Sequence, residues 1–275
     1  MIMCKEKYIR DTQKQNNLKQ VIIRIDYEGM TSAERIVGKL GTEMKEKFFA
    51  TMNRTMLNQA KLNLNNAAEI ARTLSIPIEE LKNIPVFEFN AMRFMDTEDT
   101  VKLEVSNIYT ALTVNTQKYK GIKPYQEFFK WFISALYEYE PFLRIKRLGI
   151  RKKSGDAYEN MEAVNHIYEP KFYFGEVVDH GNAMIRREYQ DCFWNDERNI
   201  KVNYSRGIRS VMLDKNKEGL QAVLDIDVYM DEGIIAKEGY DFKIGFEKIF
   251  NRLNDYQYEL YKKAVTVAYL DETSK

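Results

Sequence analysis

Asp225 and Asp227 stand two residues apart in the alternating run Leu224-Asp-Ile-Asp-Val-Tyr229. In a strand, residues two apart leave the same face, so the two carboxylates would lie side by side. A pair placed this way can hold Mg²⁺ for phosphodiester cleavage, and Asp214, Asp231 and Lys215 lie close enough in sequence to complete such a site. The competing explanation is a strand with Leu224, Ile226 and Val228 facing a core and its acids facing water. Softer metals have little to bind. Their ligands would be His166, His180, Cys4 and Cys192, none at a C-x2-C or H-x3-H spacing, whereas zinc wants about four ligands. The phosphate loops G-x-x-x-x-G-K-[ST] and G-x-G-x-x-G do not occur, nor does the G-x-S-x-G elbow. With two histidines in the chain, general-base work would fall to carboxylates, Lys or Tyr. The balance leans away from an enzyme, and Mg²⁺ is the one cofactor any reading needs.

Two other groups of residues could bind rather than react. Arg144, Lys146, Arg147, Arg151, Lys152 and Lys153 lie within ten residues, with no acid between Glu140 and Asp156. Such a segment could contact phosphates, with Tyr158 or Tyr168 offering stacking faces to bases. A strand would divide it, with Arg144 and Lys146 on one face and Arg147 and Arg151 on the other. Acids at Asp96 and Asp99, or at Glu159 and Glu162, could neutralise it. The second group is aromatic. Trp131 and Tyr139, and then Tyr258 and Tyr261, fall off the apolar stripes of their helices, as the hot spots of a partner surface would.

The elements that must position these groups can be read from the periodicity. Val21-Ile-Ile-Arg-Ile-Asp-Tyr27 is β-branched, ends at Glu28-Gly29, and reads as a strand. Thr31-Ser-Ala-Glu34 is a capping box, and Ala33, Ile36, Val37, Leu40, Met44 and Phe48 form one helical stripe behind it. Ala68 to Leu81 loosely resembles the first two helices of a helix-turn-helix. A reading helix there would present Glu79 and Glu80 rather than base-reading side chains, which argues against DNA. From Val86 the period becomes two. Val86–Phe94, Val101–Val105 and Tyr109–Val114 form an antiparallel meander with turns at 96–99 and 106–107. Pro124 opens a helix with Tyr125, Phe128, Phe129, Phe132, Ile133 and Leu136 on one face, and Pro141 stops it. Phe142 to Ile150 reads as a strand ending in a basic loop, Arg151–Gly155. Strands follow at 183–194, 200–204 and 220–229, then a helix from Tyr240 or Asp241, and a short tail from Thr266 that reads as partly free.

Strand, helix, meander and helix, then strand, meander and helix, predict an α+β protein: antiparallel sheets with helices packed on one face. Its 275 residues allow two sub-domains, 1–152 and 153–275, packed as one unit. With 44% hydrophobic residues, 15 Phe and 18 Tyr there is ample core material, so wholesale disorder is excluded. A net charge of +1 removes any global argument for nucleic acid or an anionic membrane. No apolar run approaches the roughly 18 residues of a membrane span. Met1 to Asn17 is polar and unlike a signal peptide. Two cysteines and no secretory segment predict a reducing, cytoplasmic setting.

The stretches Arg93-Phe-Met-Asp-Thr-Glu-Asp99, Thr113-Val-Asn-Thr-Gln-Lys-Tyr119, Tyr125-Gln-Glu-Phe128, Arg147-Leu-Gly-Ile-Arg151, Leu224-Asp-Ile-Asp227 and Phe246-Glu-Lys-Ile-Phe250 carry a resemblance. Together they resemble a sporadically distributed family of uncharacterised bacterial cytosolic proteins of about this size. The likeness covers residues 86–265. The chain departs from the family pattern where Arg151-Lys-Lys-Ser-Gly155 follows Arg147-Leu-Gly-Ile, in place of an aromatic and Asn-Arg. The resemblance implies a bacterial or phage origin in a patchy, mobile-element or defence-like context, and no reaction. The expectation is therefore a protein–protein interaction module, in a bacterial defence, toxin–antitoxin or phage-related system, free of the membrane and open to homo-oligomers. Behind it stand a nucleic-acid binder using 144–153 and a Mg²⁺-dependent phosphodiesterase centred on Asp225 and Asp227.

Overall fold

The computed structural model describes residues 5–8, 17–47, 51–56, 90–116, 119, 121–171, 186–215, 217–232 and 242–274. The expected helices between 66 and 81, and the start of the strand expected from Val86, lie outside them.

Nine strands are described: β1 (Leu18–Glu28), β2 (Thr51–Met56), β3 (Asn90–Met95), β4 (Val101–Val105), β5 (Tyr109–Asn115), β6 (Arg144–Tyr158), β7 (Arg186–Asn195), β8 (Ile200–Asp214) and β9 (Lys217–Asp231). They make one sheet in the order β2-β3-β4-β5-β1-β6-β9-β8-β7, with every neighbouring pair antiparallel. Five helices are described: α1 (Ala33–Lys47), α2 (Lys123–Tyr139), α3 (Met161–Ile167), α4 (Phe242–Ala264) and α5 (Val267–Thr273).

Alternation decides which face is covered. In β1, Val21, Ile23, Ile25 and Tyr27 are buried, while Gln20, Ile22, Arg24 and Asp26 point the other way. The same phase runs through Leu103 and Val105, Leu148 and Ile150, and Ile226 and Val228, which all join one hydrophobic core. Helices close that face with the stripes read from the sequence: Ile36, Leu40 and Met44 of α1, Phe129, Phe132 and Leu136 of α2, and Phe246, Ile249, Phe250 and Leu253 of α4. The protein is α+β, an antiparallel sheet helical on one side.

Four expectations change in detail. The α1 cap shifts by one residue: Ser32 Oγ accepts from the Arg35 amide (3.2 Å) and Asn107 Oδ1 from the Ala33 amide (2.7 Å). Thr31 is drawn away because the buried Glu140 carboxylate accepts its amide (3.3 Å) and its hydroxyl (2.9 Å). The turn before it needs Gly29, at φ +82°, because a Cβ there would sit 2.2 Å from the Phe142 carbonyl oxygen. The segment 151–155, expected as a loop, continues β6 between β1 and β9. Position 152/153, the expected division, therefore lies inside a strand paired on both sides. The tail is helical rather than free: the Thr266 hydroxyl caps α5, and Tyr269 and Leu270 are buried.

Candidate functional site

The bulge in β6 decides where the basic segment points. Asp26 pairs with Arg147 and Tyr27 with Ile145, so Lys146 is an extra residue in the ladder. An extra residue flips the alternation. Arg144 and Lys146 consequently share the uncovered face with Arg147, Arg151 and Lys153, correcting the expected split between two faces. Lys152 alone turns inward, where its Nζ donates to Asn254 Oδ1 at 2.8 Å.

Most of these cations meet a carboxylate. Arg144 and Lys146 share Glu28 (3.1 and 3.2 Å) and Glu232 (both 2.5 Å). Hydrogen bonding from Lys146 holds the Glu232 carboxyl below the usual range. Arg147 Nη2 lies 2.7 Å from Asp227 Oδ2, with its guanidinium 4.2 Å from the centre of the Tyr229 ring. Gly149 makes room for that stack, since a Cβ there would lie 3.2 Å from Tyr229 Cβ and 3.4 Å from Arg147 Nη2. Arg151 grips Asp225 with two hydrogen bonds, 2.8 and 2.6 Å. The neutralising acids come from β1, β9 and the residue after β9, not from the 96–99 or 159–162 segments.

The same pairs answer for the candidate metal site. Asp225 and Asp227 share a face as expected, but each is occupied by an arginine, and Asn203 also donates to Asp227 (3.3 Å). Asp231 is paired with Lys201. Asp214 and Lys215 sit at the β8–β9 turn opposite Lys217. From there to Asp225 is roughly 26 Å along β9, at about 3.3 Å per residue. No group of three His, Cys, Asp or Glu among the described residues is arranged to hold a metal. His166 pairs with Glu272 at 3.0 Å. Cys192 is exposed on β7, while Cys4 and His180 lie outside the described residues.

Two of the four aromatic candidates are corrected. Tyr258 and Tyr261 are buried, because α5 and the segment around Asn17 cover the side of α4 that the sequence leaves bare. Tyr261 donates to Asn17 Oδ1 at 3.2 Å. Trp131 and Tyr139 are half-buried against α1, whose Lys47 and Lys39 ammonium groups lie 4.7 and 4.2 Å from their ring centres.

Phe142, in the turn before β6, is the most exposed aromatic among the described residues; the other exposed aromatics cluster on a strand that sequence reading placed correctly without recognising its position in the sheet. Strand β7, Arg-Arg-Glu-Tyr-Gln-Asp-Cys-Phe-Trp-Asn, forms one edge of the sheet. Trp194 is 53% exposed, Phe193 40% and Tyr189 37%. Register with β8 puts Glu188, Gln190, Cys192 and Trp194 on the uncovered face, and Tyr189, Asp191 and Phe193 on the other. Almost the whole strand is exposed on both faces. It is held firmly from behind. Asn195 Nδ2 donates to Tyr256 Oη of α4 (2.8 Å), Arg198 binds Glu259 (2.9 Å), and Arg206 binds Asp191 (2.6 Å) with its guanidinium 5.0 Å from the Tyr189 ring centre. Beside β7 on the uncovered face runs an open groove of about 510 Å³, lined by Glu188, Gln190, Ser205, Gly207 and Val223 among others. The composition of β7 carried the clue: ten residues without Pro or Gly and rich in aromatics.

No family model and no curated protein matches the chain. Among solved structures, one titled "KH domains" is 10% identical, with a TM-score of 0.19 over 91% of this chain. The chain spans 63% of the length of that structure. The S. pombe Pct1 RNA triphosphatase is 7% identical, with a TM-score of 0.16, over 90% of this chain and 86% of that one. At such scores neither likeness bears on fold or chemistry. No helix among the described residues is long and apolar enough to cross a membrane.

Proposed function

We propose that the protein is a cytoplasmic, non-enzymatic protein–protein interaction module, working in a bacterial defence, toxin–antitoxin or phage-related setting, and that β7 is its docking element. One observation carries the reading: an edge strand of ten residues exposes Trp194, Phe193 and Tyr189 together. Soluble proteins blunt their sheet edges with prolines, bulges, short strands or a covering element, because unpaired amides and carbonyls recruit other chains. β7 has no proline, and no described strand or helix pairs with its outer edge. Trp and Tyr are also the side chains that most often dominate binding energy. The alternatives draw less support. Binding of nucleic acid through 144–153 would require Arg144, Lys146, Arg147 and Arg151 to give up carboxylate partners. A Mg²⁺ centre at Asp225 and Asp227 would have to displace Arg151 and Arg147.

The test is a tagged pull-down from the source cell, split into nuclease-treated and untreated halves, with wild type beside the Phe193→Ala/Trp194→Ala variant. A stoichiometric protein that survives nuclease and is lost from the variant is the expected result. Losing two hot spots of about 2 kcal/mol each amounts to a weakening of several hundredfold. Both side chains are substantially exposed, so the melting temperature should hardly move. A partner retained by the variant, or material lost on nuclease treatment alone, would overturn the reading.

A further inference from the structure

The sequence of β7 is complementary to itself when reversed. Its first two residues are Arg186 and Arg187, and its last two aromatics are Phe193 and Trp194. When two copies of an edge strand pair antiparallel about a two-fold axis perpendicular to the sheet, each residue meets one that points to the same face. Cross-strand partners must therefore have the same parity. Three central registers satisfy this. Centred on Asp191, the dimer sets two carboxylates directly opposite each other, each offset only by its own Arg206, and leaves Arg186 beyond the end of the partner strand. Centred on Tyr189, it pairs Arg187 with the partner's Asp191 but leaves Phe193 and Trp194 beyond the end of the partner strand.

Centred on Gln190, every residue from Arg186 to Trp194 has a counterpart. On the uncovered face Arg186 meets the partner's Trp194, Glu188 meets the partner's Cys192, and Gln190 meets itself. On the other face Arg187 meets the partner's Phe193, and Tyr189 meets the partner's Asp191. Symmetry doubles each unlike contact, so four cation–aromatic pairs flank the axis. The exposed aromatics of β7 are covered, and its edge amides and carbonyls, which no described strand pairs, gain partners.

We infer that the occupant of this edge is a second copy of the chain, joined β7 to β7 in the register centred on Gln190 to give one continuous eighteen-stranded sheet (nine strands from each copy). This rests on β7 being the docking element and adds the identity of the partner.

The experiment uses the full chain with Cys4→Ser and Cys192→Ser, carrying single cysteines in turn at Glu188, Tyr189, Gln190 and Asp191, in a glutathione redox buffer. Cβ atoms of directly opposed residues lie about 4.5–5.5 Å apart, near the reach of a disulfide. Gln190→Cys should therefore crosslink fastest of the four. Sedimentation of the wild type over a dilution series should show a monomer–dimer equilibrium, and Trp194→Ala should weaken it at least tenfold. A wild type that stays monomeric at its highest soluble concentration would overturn the inference, as would crosslinking that peaks at another position. A monomer that still retains a different protein through Phe193 and Trp194 would also overturn it, while leaving β7 as a docking element. Retention that ignores Phe193 and Trp194 would remove both.

Discussion

Glu140 shows how much one side chain can organise. Its carboxylate is almost wholly out of water, and burial alone would raise its pKa. Hydrogen bonds from Arg35 and from the hydroxyl and amide of Thr31 outweigh this and hold it below its ordinary value of 4.5. A folded-state pKa below the unfolded one means the group stabilises the fold above its unfolded pKa. That contribution is lost as pH falls through the folded value. Glu140→Gln should cost about 1–3 kcal/mol at neutral pH. Its melting temperature should also fall less than that of the wild type as pH is lowered from 6 toward 3, in a thermal melt series. The paired acids on the uncovered face make a prediction of opposite sign to the metal reading. As an arginine partner, Asp227 stabilises the fold, so Asp227→Asn should lower the melting temperature, and Mg²⁺ should not change it. In an empty carboxylate pair the same substitution would relieve repulsion and raise it. That Asp225 and Asp227 share a face was legible from their spacing. That arginines meet them was not, because the β6–β9 alignment depends on pairing across some seventy intervening residues.

At the scale of elements, local pattern carried far. The stripes of α1, α2 and α4, the β4 and β5 alternation and the turns between them stand where the residues place them, because each is set by neighbours within a few positions. What could not be read was what lies opposite. Lys146 looks like any strand residue, yet as a bulge it reverses the facing of everything before it. Tyr258 and Tyr261 looked like surplus aromatics because the elements that cover them come from the two ends of the chain. The edge position of β7 is likewise a property of the sheet, not of its ten residues. The covering role of α5 can be measured. Deleting 266–275 removes Leu270, fully buried, and Tyr269, nearly so. At roughly 1.5–3 kcal/mol per buried side chain, the truncated chain should lose at least about 3 kcal/mol in urea titration.

At the scale of the molecule, β6 is the spine. It pairs with β1 on one side and β9 on the other along most of its fifteen residues, so a division at 152/153 would cut a doubly paired strand. Unfolding should therefore follow one cooperative transition with coincident fluorescence and circular-dichroism curves, and segments 1–152 and 153–275 expressed apart should not fold. Two separate transitions, or a folded half, would show two independent units. The docking experiments belong to this scale as well, because an edge exists only once the other eight strands are in place.

The position of β1 has a consequence during synthesis. It leaves the ribosome well before β5 and β6, yet it sits in the interior of the sheet between them. Its buried row of Val21, Ile23, Ile25 and Tyr27 stays incompletely partnered on its β6 side until Lys152, which pairs with Val21, has emerged some 130 residues later. At about 5–20 residues per second, that is a wait of roughly 7–26 s. For that interval the nascent chain presents a sticky, β-branched segment with both edges or one still open, which makes it a client for whatever chaperone waits at the tunnel exit.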